Sequence, residues 1–243
     1  MDSSFWPPRR VEIGDAASFV GITPRAIRRY HEIGLLPEPE RGSDDRRGYG
    51  HEEMIRLLWI RRMADAGIAV DDIRGFFVDS AAAGADGIRG STVALLSDIV
   101  ASRLEGLPEG SLRQSDLDSL LVMERIFGPL GAAVNASRYI AMATHPGLRE
   151  ESDRVDAAEE ALDDTVAVDD PRVAAVAAER HAFERALHAV IEDSGLGKGD
   201  EALSDSWEAL QAVEATAQMP YDYSPARRRC LELAEELAAR ESA

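Results

Sequence analysis

From Ile13 to Val20 the apolar residues Ile13, Ala16, Ala17 and Val20 recur every three or four positions, which predicts a helix with one buried stripe; Gly21 follows as a stop. A turn from Gly21 to Thr23 leads into Thr23-Pro24, where threonine as N-cap and proline at the first helical position predict a second helix. On it Ala26, Ile27, Tyr30 and Ile33 share one face, while Arg25, Arg28, Arg29 and Glu32 share the other. Gly34 ends this helix, and Leu35 and Leu36 pin its exit. The stretch Glu38 to Gly50 is too rich in Gly, Asp and Arg to be helical. Its Arg41, Arg46, Arg47 and Tyr49 stand among turn residues, as in a short hairpin or a surface loop. A third helix is predicted over Glu52 to Ala66, burying Met54, Leu57, Leu58 and Met63 and exposing Arg56 and Arg62. Gly67 caps it, and a helix restarts over Val70 to Phe77.

Asp79 to Gly90, DSAAAGADGIRG, is small and Gly-rich without an apolar stripe, and a domain boundary is placed there. Beyond it the pattern reads helical throughout, with about six helices over residues 91 to 241. Start signals are Ser91 and Thr92, Ser115 with Asp118 three residues on, Asp170 before Pro171, and Ser224 before Pro225. Stops are Gly128-Pro129, His145-Pro146-Gly147, Gly195 to Gly199, and Pro220. The first of these helices is predicted to run about 15 residues before Gly106 and Pro108, with Val93, Leu96, Ile99 and Leu104 apolar. The opening FWPPRR reads as a loose arm, since its two prolines forbid a regular helix.

Composition changes this picture in one respect. The 243 residues carry 45 Asp and Glu against 27 Lys and Arg, a formal charge of −18, which argues against a uniformly basic nucleic-acid coat or an anionic-membrane binder. The charge is unevenly placed: residues 1 to 78 are nearly neutral, with 12 Arg against 13 carboxylates, so a local basic face survives there. Cys230 is the only cysteine, which excludes an Fe–S cluster, a Cys-ligated zinc site or a disulfide framework within one chain. With no apolar run long enough for a membrane span and no secretory pattern at the start, a cytoplasmic protein is expected.

Two helices joined by a three-residue turn have the spacing of a helix-turn-helix. A helix presenting Arg25, Arg28 and Arg29 together over an apolar back suits the DNA major groove, where Arg pairs bidentately with guanine or clamps phosphate; it is equally what a solvated face looks like. The run from Val11 to Phe77 goes further. Its pieces IGDAASFVGITPRAIRRYHEIGLLPEPER and RRGYGHEEMIRLLWIRRMADAGIAVDDI resemble the DNA-binding domain of the MerR family of bacterial transcription regulators. That resemblance implies a winged helix-turn-helix domain at 1–78; with the helical pattern beyond it, a mainly α protein is expected, with a linker and short dimerisation helix at 79–114 and an all-helical C-terminal domain at 115–243. The resemblance further implies a homodimer on a near-palindromic promoter whose over-long spacer the protein bends and untwists, acting on RNA polymerase indirectly through DNA shape. Carried over by position, Thr23, Arg25, Arg28 and Tyr30 match the recognition helix, Arg47 and Tyr49 the wing, and Arg61 a backbone contact on the third helix. Arg29 stands where many members have an aromatic, as does Arg46, which leaves the contacts there open. For Tyr30, core packing and a phosphate contact are both compatible with the periodicity.

The acidic half after residue 114 would be repelled by DNA and is expected to serve a small organic effector or a protein partner such as a polymerase or sigma subunit. Residues 155 to 191 weakly resemble the helical drug-sensing domains of some multidrug-type and thiopeptide-sensing members. Tyr139, Met142, Phe183, Trp207, Tyr221 and Tyr223, with Phe127 and Met219, are candidates to line an aromatic drug pocket, against core packing as the ordinary role of such side chains. His181, Glu184 and His188 share a helix face with metal-ligand spacing, although surface residues with one i, i+4 pair explain it as well. Cys230 after Arg227, Arg228 and Arg229 suggests a lowered thiol pKa and redox sensing, or an idle buried thiol. GLGKGD has Gly199 where a phosphate-binding loop needs Ser or Thr, so nucleotide binding is discarded. No catalytic triad can be picked out by spacing; neither an enzyme nor a cofactor is expected.

Overall fold

The computed structural model describes residues 7–39, 48–83, 92–108, 110–197 and 219–241, with the side chains of 78–83 left aside. Arg41, Arg46, Arg47, Lys198, Gly199 and Trp207 lie outside the described residues, as does the stretch 84–90 of the expected boundary. The protein is mainly α. Its helices are α1 (Ile13–Val20), α2 (Pro24–Glu32), α3 (His51–Asp65), α4 (Val70–Ala83), α5 (Asp98–Leu104), α6 (Gln114–Thr144), α7 (Pro146–Glu160), α8 (Pro171–Ser194) and α9 (Pro225–Glu241). Among the described residues, one pair, Val11 with Tyr49, forms an antiparallel bridge.

Two compact units result, one of Met1–Ala136 with Asp200–Asp222, the other of Ser137–Gly199 with Tyr223–Ala243. This division differs from a boundary at 79–90, and the reason lies in α3. Besides the expected Met54, Leu57, Leu58 and Met63, α3 buries Trp59 at 2 % and Ile60 at 0 % exposure, so it is apolar on two sides and needs cover on both. One side meets α1. On the other, Trp59 Nε1 donates to Asp118 Oδ1 at 2.7 Å, and Arg62, expected to be exposed, pairs with Glu124; both carboxylates belong to the first segment of α6. Arg56 is likewise half-buried: it donates to Leu35 O at 3.0 Å and lies over the Phe77 ring at 4.1 Å.

Three other expectations are corrected. α4 runs past Phe77 to Ala83, because the sequence there is alanine-rich and nothing breaks it. Instead of one helix of about 15 residues from Ser91, Thr92 and Val93 are helical, the chain turns over Ala94 to Leu96, and α5 follows, only seven residues long. Ser97 is extended (ψ 151°) and its N–H donates to Glu124 Oε2 at 3.0 Å, which ends any continuous helix. At the start of α6 it is not Ser115 and Asp118 that cap; Asp116 Oδ2 accepts from Arg113 N at 2.8 Å, the return half of a capping box.

Other signals act where the sequence puts them. Gly128 interrupts α6 with φ 67° and ψ 176°, and Pro129 opens the second segment. Asp170 Oδ1 accepts from Arg172 N at 2.9 Å at the start of α8, and Ser224 Oγ accepts from Arg227 N at 2.9 Å at the start of α9. In the second unit α7, α8 and α9 pack around Leu162, Val173, Ala177, Ala226 and Cys230, while the last turns of α6 join Leu148, Val155, Phe183 and Leu187 through Ala141 and Met142. Among these helices sits a buried carboxylate, Glu159, at 2 % exposure, held by Arg180 at 2.5 Å and Arg227 at 3.4 Å. Arg138 pairs with Glu184 beside it at 2.7 Å.

Candidate nucleic-acid interface

The geometry of the interface begins at the end of α1. Gly21 takes φ 77°, its N–H donates to Ala17 O at 2.9 Å, and Ile22 N donates to the same oxygen at 2.9 Å, which turns the chain within a few residues. The carbonyls at this helix end attract cations: Arg61 Nη1 donates to Val20 O, and Arg125 Nε donates to Phe19 O. A Cβ on Gly21 would collide with the Arg61 guanidinium. Gly34 also has a positive φ, 67°, but open space where its Cβ would be. Gly21→Ala is therefore expected to cost roughly 1 to 2 kcal/mol for the left-handed backbone plus the displaced arginine, and Gly34→Ala only the first part. Urea unfolding of both variants checks this; equal losses would mean that Arg61 contributes nothing at the turn.

α2 starts as its sequence dictates. Thr23 Oγ1 accepts from Ala26 N at 3.1 Å and Pro24 occupies the first helical position. Ile27 is fully buried, Ala26, Tyr30 and Ile33 are half-buried, and Thr23, Arg25, Arg28 and Arg29 are exposed. Arg29 Nη1 lies 3.3 Å from Glu32 Oε2, an exposed pair that leaves the guanidinium displaceable. The structure thus brings three arginines to one solvent-facing side of α2. Tyr30 contributes to packing, and burial beside Asp65 raises its hydroxyl pKa, so the phenol stays protonated.

Tyr49 faces inward. At 1 % exposure it is interior, and its hydroxyl donates to His31 Nε2 at 3.0 Å while His31 Nδ1 donates to Leu36 O at 3.1 Å. Tyr49 and Val11 also exchange backbone bonds of 2.9 and 3.0 Å. Tyr49 therefore ties the foot of the 38–50 segment to α2 from within instead of reaching outward. Nothing in the pattern of residues marks His31, which looks like one more polar residue on a polar helix. Arg61 is half-buried and committed to Val20 O and to Asp65 at 3.3 Å. With Arg62, Glu124 and Arg125 it lines a polar cleft of about 200 Å³ in which these cations already have oxygen partners.

The described residues among those expected to form a drug pocket are divided between the two units. Met142 and Phe183 are core at 4 % and 2 % exposure, with Tyr139 packed against them. Tyr223 lies under the Arg227 guanidinium at 4.8 Å, whereas Tyr221 belongs to the first unit, its ring 4.3 Å from that of His51. Phe127 is half-buried and Met219 fully buried in that first unit, and Trp207 lies outside the described residues. Glu184 is taken by Arg138, and no group of three potential ligands for a metal occurs among the described residues. Burial, with Glu159 nearby, pushes the Cys230 thiol up to about 11 despite its arginine neighbours, the opposite of a reactive thiolate.

Residues 12–49 match the family described as MerR family regulatory protein. The chain is 36 % identical over 64 residues to a mercuric resistance operon regulatory protein of Bacillus cereus, a match covering 26 % of this chain and 48 % of that protein. It is 34 % identical over 64 residues to the HTH-type transcriptional regulator HmrR of Sinorhizobium medicae, covering 26 % and 44 %. With the HTH-type transcriptional activator TipA of Streptomyces coelicolor it shares 33 % over 70 residues, covering 29 % and 28 %. The matching part spans about half the length, or less, of these curated relatives. No solved structure matches the chain. Over this N-terminal segment the chain is similar to the MerR family of regulatory proteins.

Proposed function

We propose that this chain is a sequence-specific, DNA-binding transcription regulator of MerR type, working in the cytoplasm as a homodimer that distorts its promoter and answers to a small organic ligand. The observation that carries this reading is the exposed row of Arg25, Arg28 and Arg29 on α2, held by the buried Ile27 behind it. Such a row delivers bidentate donors to base edges or phosphates without unfolding its support. Thr23 joins it at the helix start, and Arg47 adds a phosphate contact from the segment after α2. Arg61 acts from behind, on the carbonyl of Val20, with its outer edge near the backbone of the duplex. RNA polymerase is affected indirectly, through the altered promoter. The relatives' names, transcriptional regulators and activators among them, support the same class.

Selection of duplexes from a random pool by the full chain tests it. An inverted repeat should emerge, bound by two chains per duplex, with affinity falling steeply as salt rises because phosphate contacts release counterions. Failure to enrich any sequence over the starting pool would remove the regulator reading.

A further inference from the structure

A second cavity in the first unit, about 300 Å³, is lined by Trp59 of α3, Phe76 and Phe77 of α4, and Gln114 and Asp118 of α6, with Arg56 at its side. Its size is at the low end of the roughly 300 to 1,000 Å³ of small-molecule sites. Its walls are aromatic: the Trp59 and Phe76 rings are 6.5 Å apart, and Phe76 meets Phe77 edge-on at 5.2 Å. Phe76 and Phe77, which border the cavity, are half-buried.

The chemistry of the floor is set by Asp118. Its Oδ1 accepts from Trp59 Nε1 at 2.7 Å and from Gln114 Nε2 at 2.8 Å, both neutral donors. Among the described residues no cation forms an ion pair with it. His51, the basic group whose charge acts on it, donates from Nδ1 to Pro220 O at 3.1 Å, and burial lowers the imidazole's pKa so that it stays neutral. Burial correspondingly raises the Asp118 pKa. A carboxylate desolvated without a counter-charge is costly, and a cation placed beside it offsets that cost. Arg56 does not supply the charge, being engaged with Leu35 O and the Phe77 ring, and Glu52 and Glu53 at the cavity add negative charge. Aromatic faces attract cations too. An anion would meet three carboxylates and one engaged guanidinium.

We propose that this cavity binds a small aromatic cation and, resting on the regulator reading above, that its occupation is the signal that alters DNA binding. The ligand would touch α3, α4 and α6 together. The same segment of α6 carries Glu124, paired with Arg62, and Arg125, bonded to the carbonyl of Phe19 just ahead of the turn into α2. A shift of that segment therefore reaches the helix-turn-helix through bonds already in place.

Calorimetric titration of the full chain with phenyltrimethylammonium, and with benzenesulfonate as the anion of similar size, tests the site. Saturable binding of the cation alone is expected, weakened at least about tenfold in Asp118→Asn and in Phe77→Ala. Asp118→Asn keeps an Oδ1 for both of its donors, and circular dichroism of each variant verifies the fold; if one variant is unfolded, the other decides. Equal binding of the sulfonate, undiminished cation binding in a folded variant, or no binding of the cation at ~10 mM, a concentration that reveals even millimolar affinity, would overturn the site. Fluorescence anisotropy with the selected duplex separates the two readings. Cation binding by a chain that binds no duplex leaves the site and removes the regulator; duplex affinity that is unmoved by saturating cation removes the effector role.

Discussion

Replacing Arg25, Arg28 and Arg29 together by alanine is expected to abolish sequence-specific DNA binding while leaving the chain as stable as before. Each arginine that reads a base contributes about 1 to 3 kcal/mol, so the triple variant should lose on the order of 3 to 9 kcal/mol, about two to six decades of affinity. Stability is spared because all three side chains are exposed and the one ion pair they make, Arg29 with Glu32, lies in solvent. Alanine is also the better helix former. Anisotropy at fixed salt, together with a thermal melt, reads both halves of the expectation. Equal affinities for wild type and triple variant would place the interface elsewhere.

The second large effect concerns the other unit. Glu159 is almost wholly buried and faces the guanidiniums of Arg180 and Arg227, which are themselves 29 % and 24 % exposed. Glu159→Gln removes the charge that both were desolvated against, and breaking a buried pair from one side costs roughly 3 to 5 kcal/mol. Arg180 retains Glu184 at 3.8 Å, which softens the loss on its side; among the described residues Arg227 keeps its place over Tyr223. Chemical denaturation followed by far-ultraviolet circular dichroism measures the loss. Changing all three residues to methionine should recover most of it, since well-packed apolar side chains need no counter-charge. If the single variant unfolds at the same denaturant concentration as wild type, the cluster is a solvated one and the packing described for α7, α8 and α9 is wrong.

Much of the first unit was legible in the sequence because its signals are local. Gly21, Thr23-Pro24 and Gly34 each act within a turn of where they stand, and a 3.6-residue period is enough to separate Ile27 from Arg28. What distance along the chain hides is different in kind. Arg25, Arg56, Arg61, Arg62 and Arg125 are the same residue type, and nothing beside them says that the first faces water while the others bind carbonyls, a phenyl ring or Glu124. Trp59 and Ile60 did announce something, since a helix apolar on two sides must be covered twice; the sequence could not say that the cover comes from residues some sixty positions on. The candidate ligand residues show a related ambiguity. Aromatic and thioether side chains fill cores as readily as they line cavities: Met142 and Phe183 are packed in the second unit, while Trp59, Phe76 and Phe77, which border a cavity, belong to α3 and α4.

The cover on α3 sets a limit on how this protein can be shortened. A fragment stopping at Ala83 would keep every residue of the family match, yet it would bare the indole of Trp59, strand Arg62 and leave the last carbonyls of α1 with one guanidinium instead of two. Such a piece would offer water an apolar flank and tend to self-associate. The smallest stretch able to stand alone thus reaches at least to Arg125, well past the part that ancestry makes recognisable.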